Sequence, residues 1–486
     1  MNVSSNRVNF FFNTAYQVFA VLAPLITAPY ISRVLGAEGI GQCSYSYSIV
    51  SYFVLLATFG STIYGQREVS YCMNDQKGRS VAFWNVLSVR LLFSILLLAL
   101  YFSVLFTFNI TTNRTLFCIQ SLYIVNVAID VTWYFQGRAL FVPITIRNTL
   151  IRILSIVAIF LFVKNENDVF VYAFILGFSA TVSAIVTLPL LSREIQTVSL
   201  SSIKVLQTIK GCFPLFVPTI AIQIYTVMDK TMIGVFSVTG VENGYYEEAE
   251  RMVKITIILI TSLSTVLAPK IADAYKRCDE EMIMSYLKTL ISYVFIVGIP
   301  VCLGLISISQ SFIPFFLGPG FDKCVPLMRI LAPIVLFIGF SNAIGTTFLI
   351  QTHRQDVVNV SVVIGAVINL LLNLILIRLF LSIGAAISSV IAECCVFLYQ
   401  LSFVKKKYNI HYLFEGNGKY VLSGIIMFII TFALGYILRG QMVTDSLITI
   451  SQLLLGGGVY FLCLILMKDQ LIRNILVSFI SKRKNV

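Results

Sequence analysis

Within the apolar run YTVMDKTMIGVF, Tyr225–Phe236, an acid and a base stand side by side, Asp229 and Lys230. A charge in hydrocarbon costs at least about 2.5–3.5 kcal/mol on insertion scales. Consecutive residues do not face each other on a helix, so at least one of the two must meet a partner or water on another element. Arg90 and Arg152 stand deep in apolar runs of their own, with Arg147 and Arg329 nearer the edges of theirs. Asp130 and Glu393 are the remaining deep acids. The sum leans positive, which suits an anionic ligand gripped by guanidinium and ammonium donors. Glu393 has no basic residue within a turn. Desolvation favours the neutral carboxyl and a nearby cation favours the charged one, so a site balanced between the two can bind a proton or sodium ion. Asp130 is the next candidate for that role. For every one of these charges the plain alternative is pairing between helices, which fixes their register.

The elements that must carry these residues are membrane helices. The chain has 486 residues, 58% hydrophobic and 12% charged, and a soluble chain would hold roughly twice that charged share. Apolar runs recur from end to end, giving about fourteen candidate spans from 9–31 to 446–467. Breaks such as Gly36-Ala37-Glu38-Gly39 and Gly318-Pro319-Gly320 read as loops. No small-residue cleavage site follows the first span, which therefore reads as a retained helix. The net charge of +13 is not a nucleic-acid signal: with the amino terminus inside, most of the basic residues fall on cytoplasmic loops and ends, Lys405–Lys407 and Lys482–Lys484 above all. Both termini are expected in the cytoplasm, with membrane lipids around the spans and at the basic clusters.

The ten cysteines are scattered and match neither a zinc site nor a disulfide framework. Two histidines, no P-loop, no G-x-S-x-G and no H-E-x-x-H leave no catalytic or metal constellation. No segment between spans is long enough for a separate catalytic domain, so no enzyme, metal or cofactor is expected. A weak internal repeat is visible. GAEGIGQCSYSYSIVS (36–51) answers GVENGYYEEAERMVK (240–254), and FQGRALFVPITIRN (135–148) answers LIQTHRQDVVNVSV (349–362). This predicts lobes over 1–195 and 205–405, each of six helices in parallel orientation, followed by two helices and a basic tail over 406–486.

Four stretches carry a family resemblance. YTVMDKTMIGVF followed by GYYEEAERM (244–252) resembles the seventh and eighth helices of Wzx-type polysaccharide flippases, in the superfamily that also holds lipid II flippases and MATE drug exporters. RVLGAEGIGQCSYSYSIVSYFVLLATFGSTIYGQREVS (33–70) is similar to that family's first loop and second helix, DVTWYFQGRALF (130–141) to its fourth helix and GAAISSVIAE (384–393) to its twelfth. The resemblance implies an all-α, MATE-like, V-shaped bundle of fourteen helices in a bacterial cytoplasmic membrane. It implies transfer of undecaprenyl-diphosphate-linked oligosaccharide from the cytoplasmic to the outer leaflet by alternating access, with a polysaccharide polymerase and chain-length regulator as partners. Such a cargo needs cations for its diphosphate, for which Arg90, Arg152 and Lys230 are the candidates, with Asp229 holding their geometry. It also needs polar groups for its sugars; Asn369 and Asn373, four apart on one helix face, are candidates beside Tyr45, Tyr47 and Asn126. The competing readings are a MATE-type exporter of cationic drugs, which would want acid where this chain has base, and a membrane-embedded polymerase, which would want a large outer loop.

Overall fold

Gly36 turns the first helix with φ 65°, a left-handed conformation that glycine adopts without the Cβ penalty other residues meet. That bend divides α1 (Val3–Thr58) into two rods despite its unbroken run of 56 residues. The computed structural model describes residues 3–107, 113–192, 194–237 and 239–469, with side chains from Ala23 onward except at 218, 221 and 222. The basic stretch Lys482–Lys484 lies outside the described residues.

Contacts divide the chain into two compact units, Met1–Glu247 and Glu248–Val486. In the first, α2 (Ser61–Tyr71) and α3 (Gln76–Thr107) follow α1; then come three short pieces, α4 (Arg114–Gln120), α5 (Leu122–Ile129) and α6 (Thr132–Gly137), then α7 (Phe141–Phe162), α8 (Val169–Leu191), α9 (Val205–Phe236) and the opening turns of α10 (Val241–Lys276). In the second, α10 continues, and α11 (Glu280–Tyr293) runs through a π segment, Val294–Gly298, into α12 (Ile299–Phe316). There follow α13 (Cys324–Leu331), α14 (Ile334–Ser341) with a second π segment, Asn342–Leu349, then α15 (Gln355–Phe380), α16 (Ser382–Lys407), the short α17 (Ile410–Phe414), α18 (Gly418–Gly440) and α19 (Asp445–Leu466).

Eleven helical stretches among the described residues are long and apolar enough to cross a bilayer. The bend at Gly36, the broken α4–α6 run and the 32-residue α9 bring the rods close to the fourteen expected. Their outer faces stay apolar, with Leu154 66%, Ile95 65% and Leu454 73% exposed. Water would penalise such surface and hydrocarbon does not, so the protein is an all-α, multi-pass membrane protein.

Each unit has its own packed aromatic–aliphatic cores. Tyr101, Phe117, Ile124 and Val50 form one in the first unit, and Trp133, Phe83 and Tyr134 another. Tyr420, Met427 and Tyr460 anchor α18 and α19 in the second. None of the ten cysteines is joined in a disulfide, and most are buried or half-buried, where they pack as small side chains.

Candidate functional site

Successive residues diverge by about 100° around a helix, and Asp229 and Lys230 turn to different partners. Asp229, 5% exposed, accepts a 2.6 Å hydrogen bond from the Tyr246 hydroxyl through Oδ2. Lys230 Nζ lies 2.5 Å from Glu247 Oε2, and the same oxygen accepts from the Ser44 hydroxyl at 2.7 Å. The Asn243 amide donates to the Lys230 carbonyl at 2.9 Å, and the Thr231 hydroxyl donates to Ser48 Oγ at 2.9 Å.

Small residues make this reach possible. A Cβ on Gly41 would sit 1.7 Å from the Gly240 carbonyl oxygen, and one on Gly244 would sit 1.8 Å from that of Ala37. Backbone therefore meets backbone where the second rod of α1 crosses the start of α10, and Ser44 is carried to Glu247. Further along α10, Lys254 pairs with Glu250 at 2.6 Å as the i,i+4 spacing suggests, while Arg251 takes Glu248 at 2.6 Å.

Arg90, on α3, is 3% exposed and fully engaged. Its Nε donates to Ser61 Oγ at 2.9 Å and its two terminal nitrogens to the Asp130 carbonyl at 2.6 Å and Thr62 Oγ1 at 2.7 Å. The Asp130 carboxylate lies 3.5 Å away, and the guanidinium stacks over the Trp133 ring at 5.8 Å. Asp130 ends α5, and its Oδ1 accepts from the Thr132 backbone N–H at 3.1 Å, opening α6. Arg90 is thus a clamp joining α2, α3 and the break in the fourth span.

Arg152 is the opposite case. It lies half-buried on α7, and its guanidinium makes no hydrogen bond or ion pair among the described residues. Its electrostatic neighbour is Tyr123 of α5, which also feels Tyr47 and Tyr172. The Tyr47 and Tyr123 rings meet edge to face with centroids 5.0 Å apart, and Tyr47, 45% exposed, lies in the fields of Lys230 and Glu247. Tyr47 and Tyr123 thus pack together, with Lys230 and Arg152 among the charges that act on them. Sequence reading singled out Arg152, Lys230 and Tyr47, and it missed Tyr123, Tyr172 and Glu247. Tyr123 carried a usable signal, since it stands seven residues before Asp130 and so on the same helical face.

The candidates of the second unit are more enclosed. Asn369 and Asn373 are fully buried on α15, and the Asn373 amide donates to Asn369 Oδ1 at 3.1 Å. They share one face as expected, but that face is packed and exposes nothing to a sugar in this conformation. Glu393 sits half-buried on α16 between Ala392 and Cys394.

Long apolar helices with charges held inside them, and a cation and tyrosines left accessible, define a polytopic membrane protein of the transporter type of architecture. The chain belongs to the polysaccharide biosynthesis protein family, whose sequence profile matches residues 7–275. It is 24% identical over 416 residues to a provisionally assigned O-antigen transporter of Escherichia coli (strain K12), covering 83% of this chain and 98% of that one. A second protein so assigned, from Shigella dysenteriae, is 21% identical over 388 residues, covering 79% and 96%. Among solved structures, the lipid II flippase MurJ in an inward closed conformation superposes with TM-score 0.77 at 18% identity, covering 95% of this chain and all of that one. An inward-facing multidrug resistance MATE family transporter gives 0.61 at 12% identity, covering 81% and 96%. These likenesses give the fold as MATE-like.

Proposed function

We propose that the protein is a flippase. It carries undecaprenyl-diphosphate-linked oligosaccharide from the cytoplasmic to the outer leaflet of the bacterial cytoplasmic membrane, and it acts as a transporter rather than an enzyme. The observation that carries this reading is Arg152, a cation on an apolar helix that makes no hydrogen bond or ion pair among the described residues and whose charge acts on Tyr123. An unpaired charge there is costly unless a ligand or water meets it, and a diphosphate is a ligand of the opposite sign. Tyr47, Tyr123 and Tyr172 offer hydroxyls and ring faces to the adjoining sugars. Lys230 supplies a second cation, with Asp229 and Tyr246 fixing the helix turn that presents it. Arg90 and Asp130 hold the broken fourth span in place beneath Tyr123.

The family membership, the O-antigen transport assigned to its relatives and the lipid II flippase fold support the same cargo class. An exporter of cationic drugs would want a free acid where Arg152 stands. The moving parts in this reading are the lobes 1–195 and 205–405, with both termini cytoplasmic and the product handed to a polymerase and chain-length regulator. A proton or sodium gradient drives the cycle through Glu393, with Asp130 as the second such carboxyl.

The test is the sidedness of the lipid-linked oligosaccharide in oriented vesicles from depleted cells, read with an impermeant sugar-modifying reagent. Repeat units accumulate on the cytoplasmic face and are released by the wild-type protein but not by Arg152→Ala at equal abundance. Normal sidedness in depleted cells, with changed sensitivity to cationic dyes, would sink the flippase reading.

A further inference from the structure

Helix α18 starts at Gly418, shortly past the basic run Lys405–Lys407 that ends α16, and its 23 residues rise about 34 Å before closing at Gly440. Its far end therefore lies at the opposite face of the bilayer from that run, the outer face when the basic residues are cytoplasmic. There α12, α18 and α19 enclose a cavity of about 160 Å³, whose lining includes Gln310, Ser311, Phe432, Tyr436, Arg439 and Gln452. Its floor is fixed, because the buried Gln452 accepts from the Ser311 hydroxyl at 2.8 Å and donates to the Thr431 carbonyl at 2.9 Å.

Two cations meet beside this cavity with little acid to balance them. Arg439 Nη2 donates to the Gln310 carbonyl at 2.6 Å and lies 3.6 Å from Asp445 Oδ1, while its Nε and Nη1 make no hydrogen bond among the described residues. Arg329 donates from Nη2 to Gln310 Oε1 at 3.1 Å and from Nε to Ser309 Oγ at 2.8 Å. It makes no ion pair among the described residues and lies in the field of Arg439. One glutamine thus holds both guanidiniums, one by its side chain and one by its backbone, and like charges so placed repel. Both partners of the Arg439–Asp445 pair are more than a third exposed. Exposed pairs contribute about 0–1 kcal/mol, so an incoming anion displaces this carboxylate at little cost.

We propose that this cavity binds the headgroup phosphate of an anionic phospholipid. The inference does not rest on the flippase reading. Guanidinium N–H groups match phosphate oxygens in geometry and charge. The volume is below the roughly 300 Å³ at which pockets for drug-sized ligands begin, so the site takes a headgroup and leaves the acyl chains outside. The chains have a place to lie. Tyr436, Phe432, Ile429 and Ile425 follow one another at helical spacing on α18, and all are exposed. From Tyr436 to Ile425 this stripe runs eleven residues, about 16 Å, which is half of a hydrocarbon core of roughly 30 Å and therefore one leaflet. A free phosphate would use the guanidinium and gain nothing from the stripe.

The experiment follows the unfolding midpoint of the purified full-length protein in neutral detergent as dioleoyl phosphatidylglycerol is added. Dioleoyl phosphatidylcholine serves as the lipid without net charge, and glycerol 3-phosphate as the phosphate without tails. The readout is the concentration that gives half of the rise in midpoint. We expect phosphatidylglycerol to act at lower concentration than either control. Arg439→Gln should raise its half-point about tenfold, through the loss of one charge-assisted hydrogen bond. Asp445→Asn removes the internal competitor and should lower the half-point about threefold. Lys407→Gln, which removes a charge at the other membrane face, should leave it in place.

Equal shifts in Arg439→Gln and Lys407→Gln would mean diffuse attraction to a basic protein and would overturn the inference. A merely structural Arg439 would lower the midpoint of its variant without moving the half-point, and that result also overturns it. Glycerol 3-phosphate acting at the concentration of the lipid would make free phosphate the occupant and exclude the lipid site. Should Arg439→Gln fail to fold, a half-point that stays or rises in Asp445→Asn overturns the inference by itself.

Discussion

Arg90 and Arg152 look alike in the sequence, each a lone arginine in an apolar run, and the structure predicts opposite outcomes for removing them. Arg90→Ala deletes three side-chain hydrogen bonds, to Ser61, Thr62 and the Asp130 carbonyl, together with the 3.5 Å ion pair to the Asp130 carboxylate. Removing one partner of a buried pair costs about 3–5 kcal/mol because the other charge is stranded. Asp130 retains 28% side-chain exposure and a bond from Thr132, so water recovers part of that loss. The expected cost is therefore near the lower end, about 3 kcal/mol. Arg152→Ala breaks no bond among the described residues and falls within about 0.5 kcal/mol of wild type, as surface-like positions do. The assay pairs the unfolding midpoint of purified full-length protein in detergent with cargo sidedness in vesicles. Arg90→Ala should lose stability and abundance, with transport falling in proportion to folded protein. Arg152→Ala should keep its midpoint and lose transport. Arg90→Lys, which keeps the charge but not the planar fork, should recover part of the stability. Equal losses of stability in the two alanine variants, or full transport by Arg152→Ala, would refute the assignment of one arginine to the fold and the other to cargo.

Gly41→Ala and Gly244→Ala each drive a Cβ to within 2 Å of a backbone carbonyl oxygen and should abolish folded protein or transport, as measured by abundance and sidedness. Gly457→Ala, with nothing within 4 Å of the new Cβ, should instead gain about 0.5–1 kcal/mol of stability from helix propensity. Asn369→Ala breaks a fully buried amide pair and should lower the unfolding midpoint without changing which repeat units are moved. The Lys407–Glu280 pair at 2.8 Å is more than half exposed on both sides, so Lys407→Ala should change stability by less than about 1 kcal/mol and by less still in high salt.

The spans were legible because hydrocarbon imposes a length and a composition together, and apolar runs of that length rarely arise outside a membrane. Local charge pairs were legible where helical spacing brings them together: Glu250 and Lys254 meet at 2.6 Å, and Arg251 also pairs with Glu248 at 2.6 Å. The breaks at Ser121 and Asp130 in the fourth span carry neither proline nor glycine, and the one at Asp130 is stabilised by Arg90 from another helix, so no local pattern announces them. Asn369 and Asn373 show the same limit from the other side. Their spacing puts them on one face, but whether that face meets a cavity or a neighbouring helix depends on packing that spacing does not encode. Glu247 was hidden because its partner is 17 residues back across a turn and its second anchor, Ser44, is some two hundred residues away.

The cost of a buried charge is written in the sequence, but its resolution is written in the packing. In the first unit Arg90 is answered by Asp130, Lys230 by Glu247, and Asp229 by the hydroxyl of Tyr246. Arg152 has no such answer among the described residues. In the flippase reading proposed above, an anion reaches Arg152 without displacing an ion pair among the described residues, whereas at Lys230 it must compete with the carboxylate of Glu247. The two cations of the first unit are therefore not equivalent, and the costly charge with no protein answer is the one an anionic cargo serves best.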